Sequence, residues 1–273
     1  MKAKSKRNRE VLVVLDADNT LWDTDLVYAK SQLILLSEIE KHLKVTAPSD
    51  DKLSFLRRMD QNLARLHNYN LEYPARLLIN ALALALTGHS PLVSVREAVR
   101  TGTDVLGRDF INEMEMLFIK KLKSEIPPLR IGVRQGVKKL HQRGGLLVIL
   151  TEGNRDKCKL LLNKYELSNY IHKILVARKE VRIYQEILAE FDVASQSNYM
   201  VGDQLDRDIA PAKEAGFYTI YFAGGFQPFW MPAVRDICPH FTISSFEELP
   251  HLILANNQFN LTNNYKRKFI YKK

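Results

Sequence analysis

Short apolar runs that stop abruptly on acidic or hydroxyl residues recur along this chain. Val11–Leu15 is wholly apolar, with three β-branched valines, and ends in Asp16-Ala17-Asp18-Asn19-Thr20. Residues 146–150 run in the same way into Thr151-Glu152-Gly153-Asn154, and residues 199–201 run into Gly202-Asp203. Such runs predict strands covered on both faces, each delivering polar groups at its C-terminal end. Residues 218–222 predict a last strand. Helical patterns lie between and after them, over residues 136–143 closed by Gly144-Gly145, 155–165, 180–191 and 245–254, where Phe246 and Leu249 face inward. Strands alternating with helices predict an α/β fold, a Rossmann-like parallel sheet with helices on both faces. Ligands of such sheets sit at the carboxyl ends of the strands, where these polar residues collect.

Residues 25–126 break the alternation and read as an all-helical domain. Leu26, Ala29, Leu33 and Leu36 repeat at helical spacing, as do Leu56, Met59, Leu63 and Leu66. Pro74 opens a third helix that Gly88 follows, and Ser94 with Glu97 reads as a capping box before a fourth. Asp109 precedes Phe110, Met114 and Leu117 on a fifth. The expected layout is a basic tail over 1–10, a core domain made of 11–24 and 127–255, a helical insert over 25–126, and a second basic tail over 256–273.

Charge changes this picture less than its total suggests. The net charge is +9, but Lys2, Lys4, Lys6, Arg7 and Arg9 carry five positives and Lys266, Arg267, Lys268, Lys272 and Lys273 another five. Removing those ten leaves −1 for residues 10–265. Solvated ends are the favoured reading, with contact between the tails and a nucleic acid as the second. The two cysteines, Cys158 and Cys238, have neither disulfide-framework nor zinc-site spacing, which points to the cytoplasm. The apolar stretch after the basic start is too short for a secretion signal, and residues 77–86 are too short for a membrane span.

The acidic residues at strand ends carry the candidate chemistry. Singly, Asp16 and Asp18 are ordinary turn residues, Asp206 an ordinary helix cap, and Thr151 an ordinary strand-end hydroxyl. If neighbouring strand ends bring Asp16, Asp18 and Asp203 together, with Asp206 and Asp208 close by, the carboxylates must share protons or bind a cation. An all-oxygen site of this kind suits magnesium. Thr151 with the amides near Gly153 and Asn154, at a helix start, offers a seat for phosphate oxygens.

These motifs resemble those of the haloacid dehalogenase superfamily, in its phosphatase branch. That family's Asp-x-Asp-x-Thr after an apolar strand is matched by Asp16-Ala17-Asp18-Asn19-Thr20, its strand-end Ser or Thr by Thr151, and its Gly-Asp with a further Asp by Gly202-Asp203 and Asp206-Arg207-Asp208. The family's lysine, often followed by proline, falls on Lys179, with Arg178 as competitor and Glu180 where the proline would stand; Tyr184 follows as the family's aromatic residue. Asn19 replaces a frequent Gly, a tolerable change because Asn accepts left-handed backbone geometry.

The resemblance implies a magnesium-dependent phosphatase. Asp16 would be the nucleophile that forms an aspartyl-phosphate, and Asp18 the proton carrier that enzymes cleaving carbon–halogen bonds lack. Magnesium would be held by the Asp16 carboxylate, the Asp18 carbonyl and Asp203, with Asp208 steering a metal-bound water or Lys179. The phosphate would meet Ala17, Asp18, Thr151, Glu152, Gly153 and Lys179. The insert would be a cap that closes over the site and selects a small-molecule phosphate ester, a sugar phosphate or a nucleotide. Arg57, Arg58, Arg65, Arg76, Lys30, His67 and Tyr69 are its available polar residues, and Trp22 is either an entry-lining or a buried aromatic. The alternatives are a nucleic-acid-end phosphatase guided by the tails, a phosphomutase, and a weakly catalytic phosphate-binding regulatory subunit.

Overall fold

A computed structural model describes residues 11–67, 73–102, 104–191 and 198–255. The two basic tails and Tyr69 lie outside the described residues. The chain divides into two compact units, with boundaries between Thr24 and Asp25 and between Pro127 and Pro128.

The first unit is built on a six-stranded parallel sheet: β1 (Val11–Leu15), β2 (Gly145–Thr151), β3 (Ile171–Val176), β4 (Asn198–Gly202), β5 (Tyr218–Tyr221) and β6 (Phe241–Thr242), in spatial order β3-β2-β1-β4-β5-β6. β1 is therefore flanked by β2 and β4, with Val13 opposite both Leu147 and Tyr199. Strand alternation sends Val13, Leu15, Leu147 and Ile149 to one face, where they pack with Val137 and Leu140 of one helix (Val133–Gln142) and Leu161 of another (Arg155–Lys164). Leu12, Val14, Leu146 and Val148 point the other way, onto Tyr184 and Ile187 of the helix Val181–Phe191 and Ala212 of Ala210–Glu214. This two-sided burial is why the strands read as unbroken apolar runs. The order of strands reverses beside β1, so the carboxyl ends of β1, β2 and β4 open at the switch point of the sheet.

Two strands escaped the sequence reading. β3 is half-buried and mixes His172 and Lys173 with apolar residues because it lies at a sheet edge. β6 has only two residues, too few for any periodicity.

The second unit contains five helices, Thr24–Leu43 (which begins at the boundary), Lys52–Leu66, Ala75–Leu86, Pro91–Thr101 and Arg108–Ser124, around a core that includes Leu36, Leu56, Leu82, Val95 and Ile111. The expected capping box at Ser94 is not where the fourth helix starts. Pro91 occupies its first turn, and Ser94 sits inside it, donating its hydroxyl to Ser90 O at 3.0 Å. Proline's fixed φ and missing N–H suit the first helical turn, which moves the start upstream. Among the described residues no helix is long and apolar enough to cross a membrane.

Candidate active site

The turn after β1 places the first two acids. The Ala17 carbonyl accepts the amides of Thr20 (3.3 Å) and Leu21 (2.8 Å), and Asn19 takes a positive φ of 58°. Asp16 is anchored by its own amide to Val201 O of β4 (2.9 Å). Its carboxylate is buried and receives the ammonium of Lys179, which also donates to Asp208 Oδ1 at 2.6 Å. Arg178, the competing base, is 85% exposed and pairs with Glu180 instead. The geometry thus brings Lys179, and not Arg178, to the carboxylates.

Asp18 is engaged differently. Its Oδ1 accepts from the Trp22 indole N–H (3.1 Å) and the Thr24 hydroxyl (2.5 Å). Trp22 is buried, so it serves both as core and as a donor to Asp18. Sequence reading left Trp22 undecided and passed over Thr24, although both stand within six positions of Asp18.

Asp203 and Asp208 arrive from the end of β4. Asp203 accepts from Thr20 Oγ1 (3.4 Å) and Gln204 Nε2 (3.1 Å). Asp208 lies on a π-helical turn over Leu205–Ile209, a distortion common at functional sites, and its Oδ2 accepts the Gln204 amide at 2.9 Å. A Cβ at position 202 would overlap the Asp208 carboxyl, and one at 224 would overlap the Asp203 carboxyl. Glycine is required at both places for the acids to fit.

Thr151 is buried at the end of β2. The Gly153 amide, an expected phosphate contact, here donates to Thr151 Oγ1 (3.0 Å), closing a hydroxyl turn. The helix that follows is capped by Asn154, which accepts from the amides of Asp156 and Lys157. Arg57 and Arg76, considered for substrate contact, form ion pairs inside the second unit with Asp25 and Glu115. Arg58, Arg65 and Lys30 are exposed.

Carboxylate oxygens of Asp16, Asp203 and Asp208 lie within 4.8 Å of one another. Among the described residues these three buried carboxylates have one ion-pairing ammonium, Lys179, with Arg130 and Arg207 acting on them only at longer range, so negative charge is in excess if all ionise. The electrostatics report this excess. Burial raises Asp16 to about 6 despite Lys179, and burial with the charges of Asp16 and Asp208 pushes Asp203 well above the usual carboxylate range. Burial also opposes the Lys179 ammonium, but Asp16 and Asp208 outweigh it and hold its pKa well above the ordinary value. A hard divalent cation on these oxygens would remove the excess, so the donor set fits magnesium. Burial and the nearby Asp18 and Asp16 push the Cys158 thiol up to about 12, which disfavours its thiolate.

The excess charge makes stability pH-dependent in a defined sense. The folded chain holds the Asp16 proton up to about pH 6 and the unfolded chain only to 3.8, so stability falls as pH rises through that window. The loss is on the order of a few kcal/mol and belongs to the interacting Asp16 and Asp203 acids together. Magnesium is therefore expected to raise the melting temperature of metal-stripped protein more at pH 7.5 than at pH 5. Equal increments at both, measured by differential scanning fluorimetry, would count against a cation at these carboxylates.

A family model described as haloacid dehalogenase-like hydrolase matches residues 11–216. Glyceraldehyde 3-phosphate phosphatase of Pyrococcus abyssi is 29% identical over 100 residues, which are 34% of this chain and 42% of that protein. The chain thus matches less than half the length of that curated relative. Among solved structures, a haloacid dehalogenase-like family hydrolase from Xanthomonas campestris superposes with a TM-score of 0.62 at 18% identity, over 90% of this chain and 95% of that one. A putative hydrolase from Bacillus subtilis bound to magnesium gives 0.59 at 18% identity, over 90% and 99%. At such identities these likenesses concern the fold.

Proposed function

The chain belongs to the haloacid dehalogenase-like hydrolase family, and from that premise we propose that it is a magnesium-dependent phosphatase of a small phosphomonoester, acting through an aspartyl-phosphate on Asp16. One observation carries this reading above the rest: the buried Asp16 carboxylate stands at the end of the central strand against the Lys179 ammonium, with a second acid, Asp18, two residues on. A nucleophile beside a compensating cation, followed by a proton carrier, is the equipment that phosphate transfer to water requires.

In the first step an Asp16 oxygen attacks phosphorus while the bond to the leaving oxygen breaks, and Asp18 gives that oxygen its proton. In the second, the Asp18 carboxylate takes a proton from water as the water oxygen attacks phosphorus. The Asp16–phosphate bond breaks, releasing inorganic phosphate and restoring both acids. Donation from Trp22 and Thr24 to Asp18 Oδ1 leaves Oδ2 to carry the proton in both steps. Lys179 and the Thr151 hydroxyl offset the charge on the phosphoryl oxygens. Magnesium would be held by Asp16, Asp203 and the Asp18 carbonyl, and when bound it supplies charge neutralisation and phosphate orientation. Asp208 holds Lys179 in place.

The Pyrococcus relative's substrate supports a small phosphorylated metabolite as the substrate class. Phosphate release from a panel of phosphomonoesters that includes glyceraldehyde 3-phosphate, with magnesium or with a chelator, tests the reading. Release is expected with magnesium and should fall about 100-fold or more on chelation. Release that survives chelation would remove the metal from the mechanism, and no release from any ester would remove the activity.

A further inference from the structure

The family resemblance implies that Glu152 meets the phosphate, and its side chain joins two other loops. Oε1 accepts the backbone N–H of Lys179 at 3.0 Å, and Oε2 accepts from Arg207 Nη1 at 2.7 Å. Lys179 follows β3, and Arg207 sits on the π turn after β4. Each is joined to the chemistry by the chain: Lys179 sends its ammonium to Asp16 and Asp208, and Arg207 immediately precedes Asp208. One carboxylate thereby ties the ends of β2, β3 and β4 together around the ammonium.

Such a tie matters because lysine is a flexible point charge whose placement depends on how well its backbone is held. Glu180, and not proline, follows Lys179, so no ring stiffens the loop at that point. We propose that Glu152 and Arg207 form a clamp that fixes the Lys179 backbone and so positions its ammonium for phosphoryl transfer; this rests on the phosphatase reading. Both side chains act through the Lys179 backbone, which makes them positioning residues. Glu152 and Arg207 side chains are 29% and 46% exposed, so the pair contributes little to global stability. Its effect is geometric, and small displacements of catalytic groups reduce rates by about 10- to 100-fold.

The test compares wild type with Glu152→Ala, Glu152→Gln, Arg207→Ala, Arg207→Lys and the double alanine variant. Hydrogen–deuterium exchange read at the Lys179 amide should rise roughly tenfold in Glu152→Ala and less in Glu152→Gln, which keeps an acceptor for that amide. With p-nitrophenyl phosphate and magnesium, kcat should fall about 10- to 100-fold in Glu152→Ala with KM within about threefold. The double variant should be no slower than Glu152→Ala, and Arg207→Lys should recover part of the Arg207→Ala loss. Unchanged amide exchange in Glu152→Ala would overturn the clamp. Raised exchange with wild-type kcat, or losses that multiply in the double variant, would overturn its positioning role. A wild type without turnover on any ester would defeat the phosphatase reading separately, and amide exchange would then decide alone whether the clamp exists.

Discussion

Asp16→Asn is expected to lower phosphate release by at least about 10,000-fold while leaving the fold intact. The amide has nearly the same shape, so the packing at the end of β1 survives. It is also a poor nucleophile and cannot form the acyl-phosphate that the two-step route needs. The buried carboxylate it replaces is under electrostatic stress, with a pKa near 6 produced by burial and the neighbouring acids. Removing that charge relieves Asp203 and Asp208, so the melting temperature of metal-stripped protein at pH 7.5 should hold or rise. Phosphate release and a thermal melt on the same preparation give both numbers. Turnover near the wild-type rate in the variant would sink the nucleophile assignment.

Lys179→Met should combine a kinetic and a structural loss. Without the ammonium, Asp16 and Asp208 are left buried beside Asp203 with no ion-pair partner among the described residues. Stranding buried charges in this way costs about 3–5 kcal/mol. On the proposed mechanism, activity should fall about 1,000-fold, because the charge assigned to the phosphoryl group would be missing. Magnesium should restore part of the stability and little of the rate. Arg178→Met, one position earlier, is the matched control: its side chain is exposed and paired with the exposed Glu180, so stability should move by no more than about 0.5 kcal/mol. The reverse ranking of the two variants would put the ammonium's role on the wrong residue.

What could be read from sequence follows from how each feature is encoded. β1, β2 and β4 are central and buried on both faces, so their apolar runs announce them. β3 and β6 lie at the edges, where half-exposure erases that signal. Asp16, Asp18 and Asp203 stand out because each follows an apolar run within a few positions. The Glu152–Arg207 contact spans 55 residues and the Lys179–Asp16 contact 163, and no local pattern announces such pairs. Thr24 and Trp22 were local to Asp18, but an indole and a hydroxyl have many ordinary uses, and only coordinates show both on one oxygen. The misplaced start of the fourth helix was a contest between two local signals, proline at the first turn and a serine cap, which the proline won.

The central position of β1 also sets an order of events during synthesis. Its first strand partner begins at Gly145 and its second at Asn198. At ribosomal speeds the wait for the first is on the order of ten seconds, during which five apolar residues form an unsatisfied edge. The helical insert suffers no such delay, because its core comes from one continuous stretch of chain. The sheet that carries the acids must therefore close late, around a strand made early. On the proposed mechanism, a nascent chain would have no complete site until the ribosome has passed Asp208.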